Sequence, residues 1–430
     1  MKLSRIILQI MLFGVLLFQA YMGWNGSTSS AGLKGYFTPP ETIKFSLSGW
    51  FSGRYQSWVS QNADEPRGFR SSLVRLNNQL DFTLFRIPHA ENIIAGKNNC
   101  LFSKEYIESY LGLNFAGKRF IEKKVKRIKL LQDQLWTKYK IFLLVIFTPD
   151  KGTYFPENIP SRFLDRKKEI NNYQYYSCKL VEAGVHFIDF NRYWTEMKDT
   201  SRYPLYPLTG IHWSYYGALV AADSLANYLR KHTGFDLPSI IMDRIDLSSR
   251  ARYQDNDISQ AMNLIWDIPH PPYAYPDFHL QPDHEREKPK CLFVGDSFYW
   301  NWYDPGIIRH FFSNEEFWYY NKELYPESKA QFTSTTQVDL LQAIRRQNII
   351  ILLQTNAAAG DPGFGFVEYA LSVIDPEVSR LPHFINTIKN DPNLLREVQE
   401  KAKNQNISLD DMILQDALFL VNDEMKKNRY

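Results

Sequence analysis

A three-layer α/β/α sandwich of the flavodoxin-like kind is predicted here, because short, continuously apolar runs recur along the chain with amphipathic helical spacing between them. The runs lie at residues 141–148 (IFLLVIFT), 291–294 (CLFV) and 348–354 (NIIILLQ). Each is too short for a buried helix and is bounded by polar or turn residues, so each reads as a strand covered on both faces. Between them, residues 115–139 place Ile121, Val125, Ile128, Leu131 and Leu135 at helical spacing with Lys and Arg in between. That pattern predicts a helix lying on the sheet, with its basic run as the solvated side.

The remaining elements follow in order. Residues 149–160 are broken by proline and predict a loop beyond the first strand. Residues 171–183 predict a helix and 185–189 (VHFID) a short strand. Residues 215–231 carry Leu219, Ala222, Leu225 and Leu229 on one face of a further helix. Residues 245–289, rich in Pro, Asp and His, predict a long insertion or loop before the strand at 291–294, and residues 356–365 a Gly/Ala-rich turn. Everything after that turn predicts helix. The domain plan is therefore residues 1–24 as an anchor, 25–90 as a linker and leading region, 91–366 as the main domain and 367–430 as a helical extension.

Lys2 and Arg5 precede an almost uncharged apolar stretch over residues 6–22, and no Ala-x-Ala cleavage site follows it. This predicts an uncleaved membrane helix with the basic end in the cytoplasm and the rest of the chain outside, periplasmic or extracellular. The other reading of the stretch is a cleaved signal peptide.

A charged fraction of 23% and an apolar fraction of 44% describe a globular chain of 430 residues. Its 50 basic and 47 acidic side chains leave a net charge of +3 with no basic stripe, which argues against a nucleic-acid partner. No zinc-type Cys/His spacing, P-loop or dinucleotide fingerprint occurs, so neither a metal nor a cofactor is expected. Three cysteines cannot build a disulfide framework, and Cys291 reads as a small buried hydrophobe.

Two stretches carry chemistry. The strand at 291–294 ends at Gly295-Asp296-Ser297, which puts a serine hydroxyl at the carboxyl end of a central strand, where open α/β sheets form their binding crevice. Upstream, Gly210-Ile211-His212-Trp213 precedes the helix at 215. A histidine there can accept the serine proton and return it, since its pKa lies near neutrality. Asn356 follows the strand at 348–354 and so reaches the same crevice; with the Ser297 amide it is the candidate oxyanion hole. Trp213, Tyr299 and Trp300 are the candidate sugar platform, with packing as the alternative role for each.

His-Trp with Gly-Ala at the start of a helix, then Gly-Asp-Ser-Phe after a strand, resembles the SGNH-hydrolase-like proteins of the alginate O-acetylation type (AlgJ/AlgX). Asn99–Phe102, the loop at 148–160 and the strand at 185–189 are similar to further stretches of that family, so the resemblance spans roughly residues 93–366. It implies an SGNH fold with rearranged connectivity, since His212 precedes Ser297. It also implies acetyl transfer to hydroxyls of an exported polysaccharide, with a membrane-bound O-acyltransferase as the partner that supplies acetyl. Ser297 would be the nucleophile and His212 the base. The family pattern is Asp-x-His-Trp, and Gly210 stands where the Asp belongs. Asp296, Asp189 or an acid from residues 245–289 is expected to substitute; otherwise a weaker Ser-His dyad works with a backbone carbonyl as orienter, or the chain keeps only a glycan-binding or scaffold role. A carbohydrate esterase would use the same site with water as acceptor.

Overall fold

The computed structural model describes residues 9, 13–14, 33–34, 44–57, 70–165, 168–282, 287–326 and 333–427. Most of the expected anchor over residues 6–22 lies outside them. Among the described residues, no helix is long and apolar enough to cross a membrane.

The chain divides into two compact units, Met1–Ala95 with Asn256–Pro269, and Gly96–Asp255 with His270–Tyr430. In the first, helix α1 (Arg70–Phe85) is tied to the 256–269 segment. Asn78 donates to the Met262 carbonyl at 2.8 Å, and Gln79 accepts from the Ile265 and Trp266 amides at 3.1 and 3.0 Å.

The second unit holds the sheet. Its strands are β1 (Phe142–Thr148), β2 (Phe187–Asp189), β5 (Lys290–Gly295), β6 (Asn314–Tyr319), β7 (Glu323–Tyr325) and β8 (Ile349–Thr355), in the spatial order β2-β1-β8-β5-β6-β7. All pair in parallel except β7, which runs antiparallel on β6. Between β2 and β5 in the chain, β3 (Ser239–Ser248) and β4 (Tyr273–Gln281) form a separate antiparallel ribbon.

All seven residues of β1 and of β8 are buried, as the unbroken apolar runs require of strands covered on both faces. Their alternation sorts the core into two layers. Leu143, Val145, Phe147, Ile350 and Leu352 face helices α2 (Lys118–Tyr139), α3 (Asn172–Glu182) and α5 (Phe366–Ile374). Leu144, Ile146, Ile349, Ile351 and Leu353 face α4 (Tyr215–Thr233) and the aromatic cluster around Phe298. Helices α6 (Leu381–Asn390), α7 (Pro392–Gln405) and α8 (Leu409–Lys427) complete the first layer, through residues such as Ile388, Val398 and Met412. The three-layer sandwich with a mostly parallel sheet is therefore present. In register, Leu353 stands opposite both Ile146 and Gly295, so β1, β8 and β5 end level and their following residues share one crevice.

Two expectations are corrected. Residues 149–160 are not open loop but a short helix, Lys151–Tyr154, followed by a 3-10 turn, Pro156–Asn158. Asp150 starts the helix by accepting from the Thr153 amide at 2.7 Å, and Pro156 suits the first position of the turn. Residues 245–289 contain most of the β3–β4 ribbon rather than a structureless insertion. Pro276 reads as a strand breaker, but it pairs with Ile245 at a shift in the ladder register, where a missing amide is tolerated.

Candidate active site

Ser297 opens a 3-10 turn, Ser297–Tyr299, directly after β5. A Cβ on Gly295 would lie 2.6 Å from the Leu353 carbonyl oxygen, so only glycine lets β5 approach β8 this closely as the chain turns. The turn is held from inside by Asp296. Its Oδ1 accepts from the Phe298 amide at 3.1 Å and its Oδ2 from the Thr355 amide at 2.7 Å.

His212 arrives from the loop before α4 and places Nε2 2.8 Å from Ser297 Oγ. Several contacts fix that loop. Ser214 caps α4 by accepting from the Gly217 amide at 2.9 Å, and its hydroxyl donates to the Pro204 carbonyl at 2.7 Å. Tyr206 donates to the Ile211 carbonyl, and Thr209 Oγ1 lies 2.8 Å from the Tyr273 hydroxyl. The fully buried Lys151 donates to the carbonyls of Leu101 and Leu208 at 2.9 and 2.7 Å. The two motifs also lock to each other. Asn301 donates to the Trp213 carbonyl at 3.0 Å, Trp302 Nε1 to the Ala218 carbonyl at 2.8 Å, and Phe298 packs edge-on against His212 with ring centroids 5.0 Å apart.

Asp296 and Asp189 each hold a turn by accepting backbone amides. Asp296 is close enough for His212 to favour its charged form, but both its oxygens already accept backbone amides. It shapes the turn that carries Ser297. Burial raises its carboxyl above the ordinary range, against the pull of those amides. Asp189 caps the helix after β2, accepting from the Arg192 amide at 2.9 Å and from the Tyr173 hydroxyl. Asp150, fully buried at the end of β1, is pushed up to about 7 by desolvation, opposed by the amides at the start of its helix.

Asn356 is buried one residue beyond Thr355. It lies near enough to Asp150 to lower that carboxyl, yet neither atom of its amide meets hydrogen-bond geometry with any described residue. Such an orphaned buried amide is costly unless a ligand completes it.

The sugar platform is corrected. Trp213 and Tyr299 are fully buried within the aromatic cluster and present no face to a ligand. Trp300 is half-buried and packs edge-on against Phe317 and Tyr325 at 5.1 and 4.7 Å. Tyr and Trp at a turn read as recognition residues, whereas here the turn folds back onto the core. An aromatic lining does exist elsewhere. A cavity of about 400 Å³ is walled by Tyr154, Phe155, Lys198, Arg202 and Tyr203, and by Ser214 two residues after His212. Lys151 and this lining are the features that residue patterns alone did not single out, although Lys151 sits in a stretch marked by the family resemblance. Among the described residues no His/Cys/Asp/Glu cluster could hold a metal ion, and Cys100, Cys178 and Cys291 are all free thiols.

Residues 93–300 match the family described as SGNH hydrolase-like domain, acetyltransferase AlgX. No curated protein matches the sequence. Among solved structures, the chain is similar to the O-acetyltransferase domain of Pseudomonas putida AlgJ, with 15% identity, 63% of this chain and 92% of that one covered, and a TM-score of 0.41. It is similar to Pseudomonas aeruginosa AlgX at 13% identity, 66% and 67% coverage and a TM-score of 0.42. Bacillus cereus PatB1 with a sulfonyl adduct gives 11% identity, 64% and 99% coverage and a TM-score of 0.40.

Proposed function

We propose, from the premise that residues 93–300 belong to the SGNH hydrolase-like AlgX acetyltransferase family, that this chain transfers acetyl from an ester donor to polysaccharide hydroxyls through Ser297 and His212. The observation that carries the reading is the 2.8 Å separation of His212 Nε2 and Ser297 Oγ, which is within reach for direct proton transfer.

In the first step Ser297 Oγ bonds to the acetyl carbon as the donor's ester C–O bond breaks. The serine proton passes to His212 Nε2 and on to the departing oxygen. In the second, a sugar hydroxyl attacks the acetyl carbon, its proton goes to His212, and the Oγ–C bond breaks as Ser297 takes the proton back. Negative charge develops on the carbonyl oxygen in both steps. The Ser297 amide and the orphaned Asn356 side chain are the donors assigned to it in this reading. The acceptor lies along the cavity by Tyr154, Phe155 and Tyr203, whose rings suit sugar faces and whose neighbours Lys198 and Arg202 suit a hydroxyl-rich or acidic chain.

A membrane tether over residues 6–22, with the domain outside the cytoplasm, belongs to the same reading. It rests on the basic pair and the apolar run in the sequence, and it would hold the chain beside a membrane-bound O-acyltransferase that supplies acetyl.

The test is transfer. Full-length protein incubated with 4-nitrophenyl acetate and a soluble oligosaccharide series should yield acetylated sugar in a Ser297- and His212-dependent manner. Nitrophenol release without sugar acetylation for any acceptor would leave an esterase, and no release at all would remove the enzymatic reading.

A further inference from the structure

A turn between β3 and β4 touches both of the stretches that carry chemistry. It runs from Arg252 to Asp255 and is closed by the Asp255 amide, which donates to the Arg252 carbonyl at 3.4 Å. On the histidine side, a Cβ on Gly210 would lie 2.6 Å from the Asp255 carbonyl oxygen and 3.0 Å from that of Gln254, so the turn packs on bare backbone two residues before His212. Asp255 Oδ1 accepts from the Tyr215 amide, three residues after His212, at 3.0 Å. On the serine side, Gln254 donates to the Asp304 carboxylate, seven residues after Ser297, at 3.1 Å. The turn thus bridges the loop of His212 and the segment that follows Ser297.

Among those anchors stands Tyr253, and two features set it apart. Its φ is +53°, a left-handed backbone that glycine or asparagine adopts readily and that strains a bulky side chain. A turn that only joined two strands would have no use for a tyrosine there. The ring is also 48% exposed although it lies flat on Tyr215, with centroids 5.1 Å and planes 15° apart. One face is therefore covered and the other is open to solvent. The stack has a firm backing. Buried Tyr275 lies 5.7 Å from Tyr215, its hydroxyl accepts from the Arg252 amide at 2.6 Å, and the Arg252 guanidinium lies 4.5 Å above its ring.

A flat aromatic face, held rigid and open to water, suits a sugar ring. The C–H bonds on one face of a pyranose meet the negative face of the aromatic ring, while the sugar hydroxyls keep their water. We propose that Tyr253 is a stacking platform for one pyranose ring of the acceptor, a subsite additional to the cavity beside Ser214. The proposal rests on the reading of Ser297 and His212 as a site of transfer to sugar. It accounts for a tyrosine held at a strained position in a turn that joins the two motifs.

The test is acceptor kinetics in the full chain, with 4-nitrophenyl acetate as donor and an oligosaccharide series containing neutral and uronate members. Tyr253→Asn removes the ring and places a residue that tolerates the left-handed backbone, so the turn is kept. Its KM for the acceptor should rise on the order of 10-fold, with kcat changed far less. Tyr253→Phe, which keeps the ring, should restore the wild-type KM. Wild-type acceptor KM in Tyr253→Asn, with transfer still dependent on Ser297, overturns the proposal alone. So does a loss confined to kcat, or one that Tyr253→Phe shares, because either would give the residue a purely structural role. Absence of Ser297-dependent acetylation of every sugar in the series overturns the transfer reading and the platform with it.

Discussion

Asp150 and Asp296 follow β1 and β5, the strands on either side of β8, with nearly the same task, holding a turn by accepting amides, and burial shifts both upward. For Asp150 the shift has a consequence for stability. Its ordinary value is 3.8 and its folded value about 7, so between those limits the native chain holds a proton that the unfolded chain has released. Stability contributed at this residue therefore falls as pH rises from about 4 to about 7. Asp150→Asn removes the effect while keeping the cap. The variant should match the wild type at pH 4 and exceed it at pH 8 by up to ~4 kcal/mol, read from urea midpoints. Parallel pH curves would contradict this. At the same scale, Ser297 and His212 are legible in sequence because each sits at a sharp junction, strand to turn and loop to helix. The close approach of the Asp255 carbonyl to Gly210 is not, because it exists only once the chain between α4 and β5 has folded back.

The element that decides the site is the loop from Leu205 to Ser214, since it carries the histidine without regular structure of its own. Its position is borrowed: from Tyr206 to Ile211, from Thr209 to Tyr273, and from Lys151, which spans Leu101 and Leu208. Lys151→Met keeps the length of the stem but leaves two buried carbonyls without that donor. It should cost roughly 2–5 kcal/mol in denaturant unfolding and lower kcat more than KM, because the loop that aims His212 loosens. Unchanged stability would show that the carbonyls find other donors. The long buried strands and the amphipathic helices are readable from periodicity, as β1, β8 and α2 illustrate. The ribbon of β3 and β4 is not, because its half-exposed residues and Pro276 imitate a loop. Strands β6 and β7 lie near one edge of the sheet, where mixed residues such as Asn314, Glu315 and Glu316 blur the alternation.

On the scale of the molecule, the C-terminal helices belong to the core. Met412, Ile413, Ala417 and Val421 of α8 share a cluster with the odd-numbered residues of β1 and with α2. A buried ionic group ties that layer together. Glu368 of α5, fully buried, accepts from Arg127 of α2 at 2.5 Å, and Lys124 lies 3.7 Å from Glu368 and 2.9 Å from Asp361. Glu368→Gln would leave cations buried with one carboxylate fewer and should cost about 3–5 kcal/mol in thermal or denaturant unfolding. Less than ~1 kcal/mol would mean that Asp361 alone balances the cations. These helices lie on the face of the sheet opposite α4, so they stabilise the site by holding the strand ends level rather than by touching it. All of this converges on one hydroxyl. The most direct measurement is the mass of intact full-length protein, and of its peptides, after exposure to 4-nitrophenyl acetate with rapid acid quench. An added acetyl group on Ser297, absent in Ser297→Ala and strongly slowed in His212→Ala, is the predicted result. Unmodified Ser297 under conditions where the ester is consumed would contradict the account.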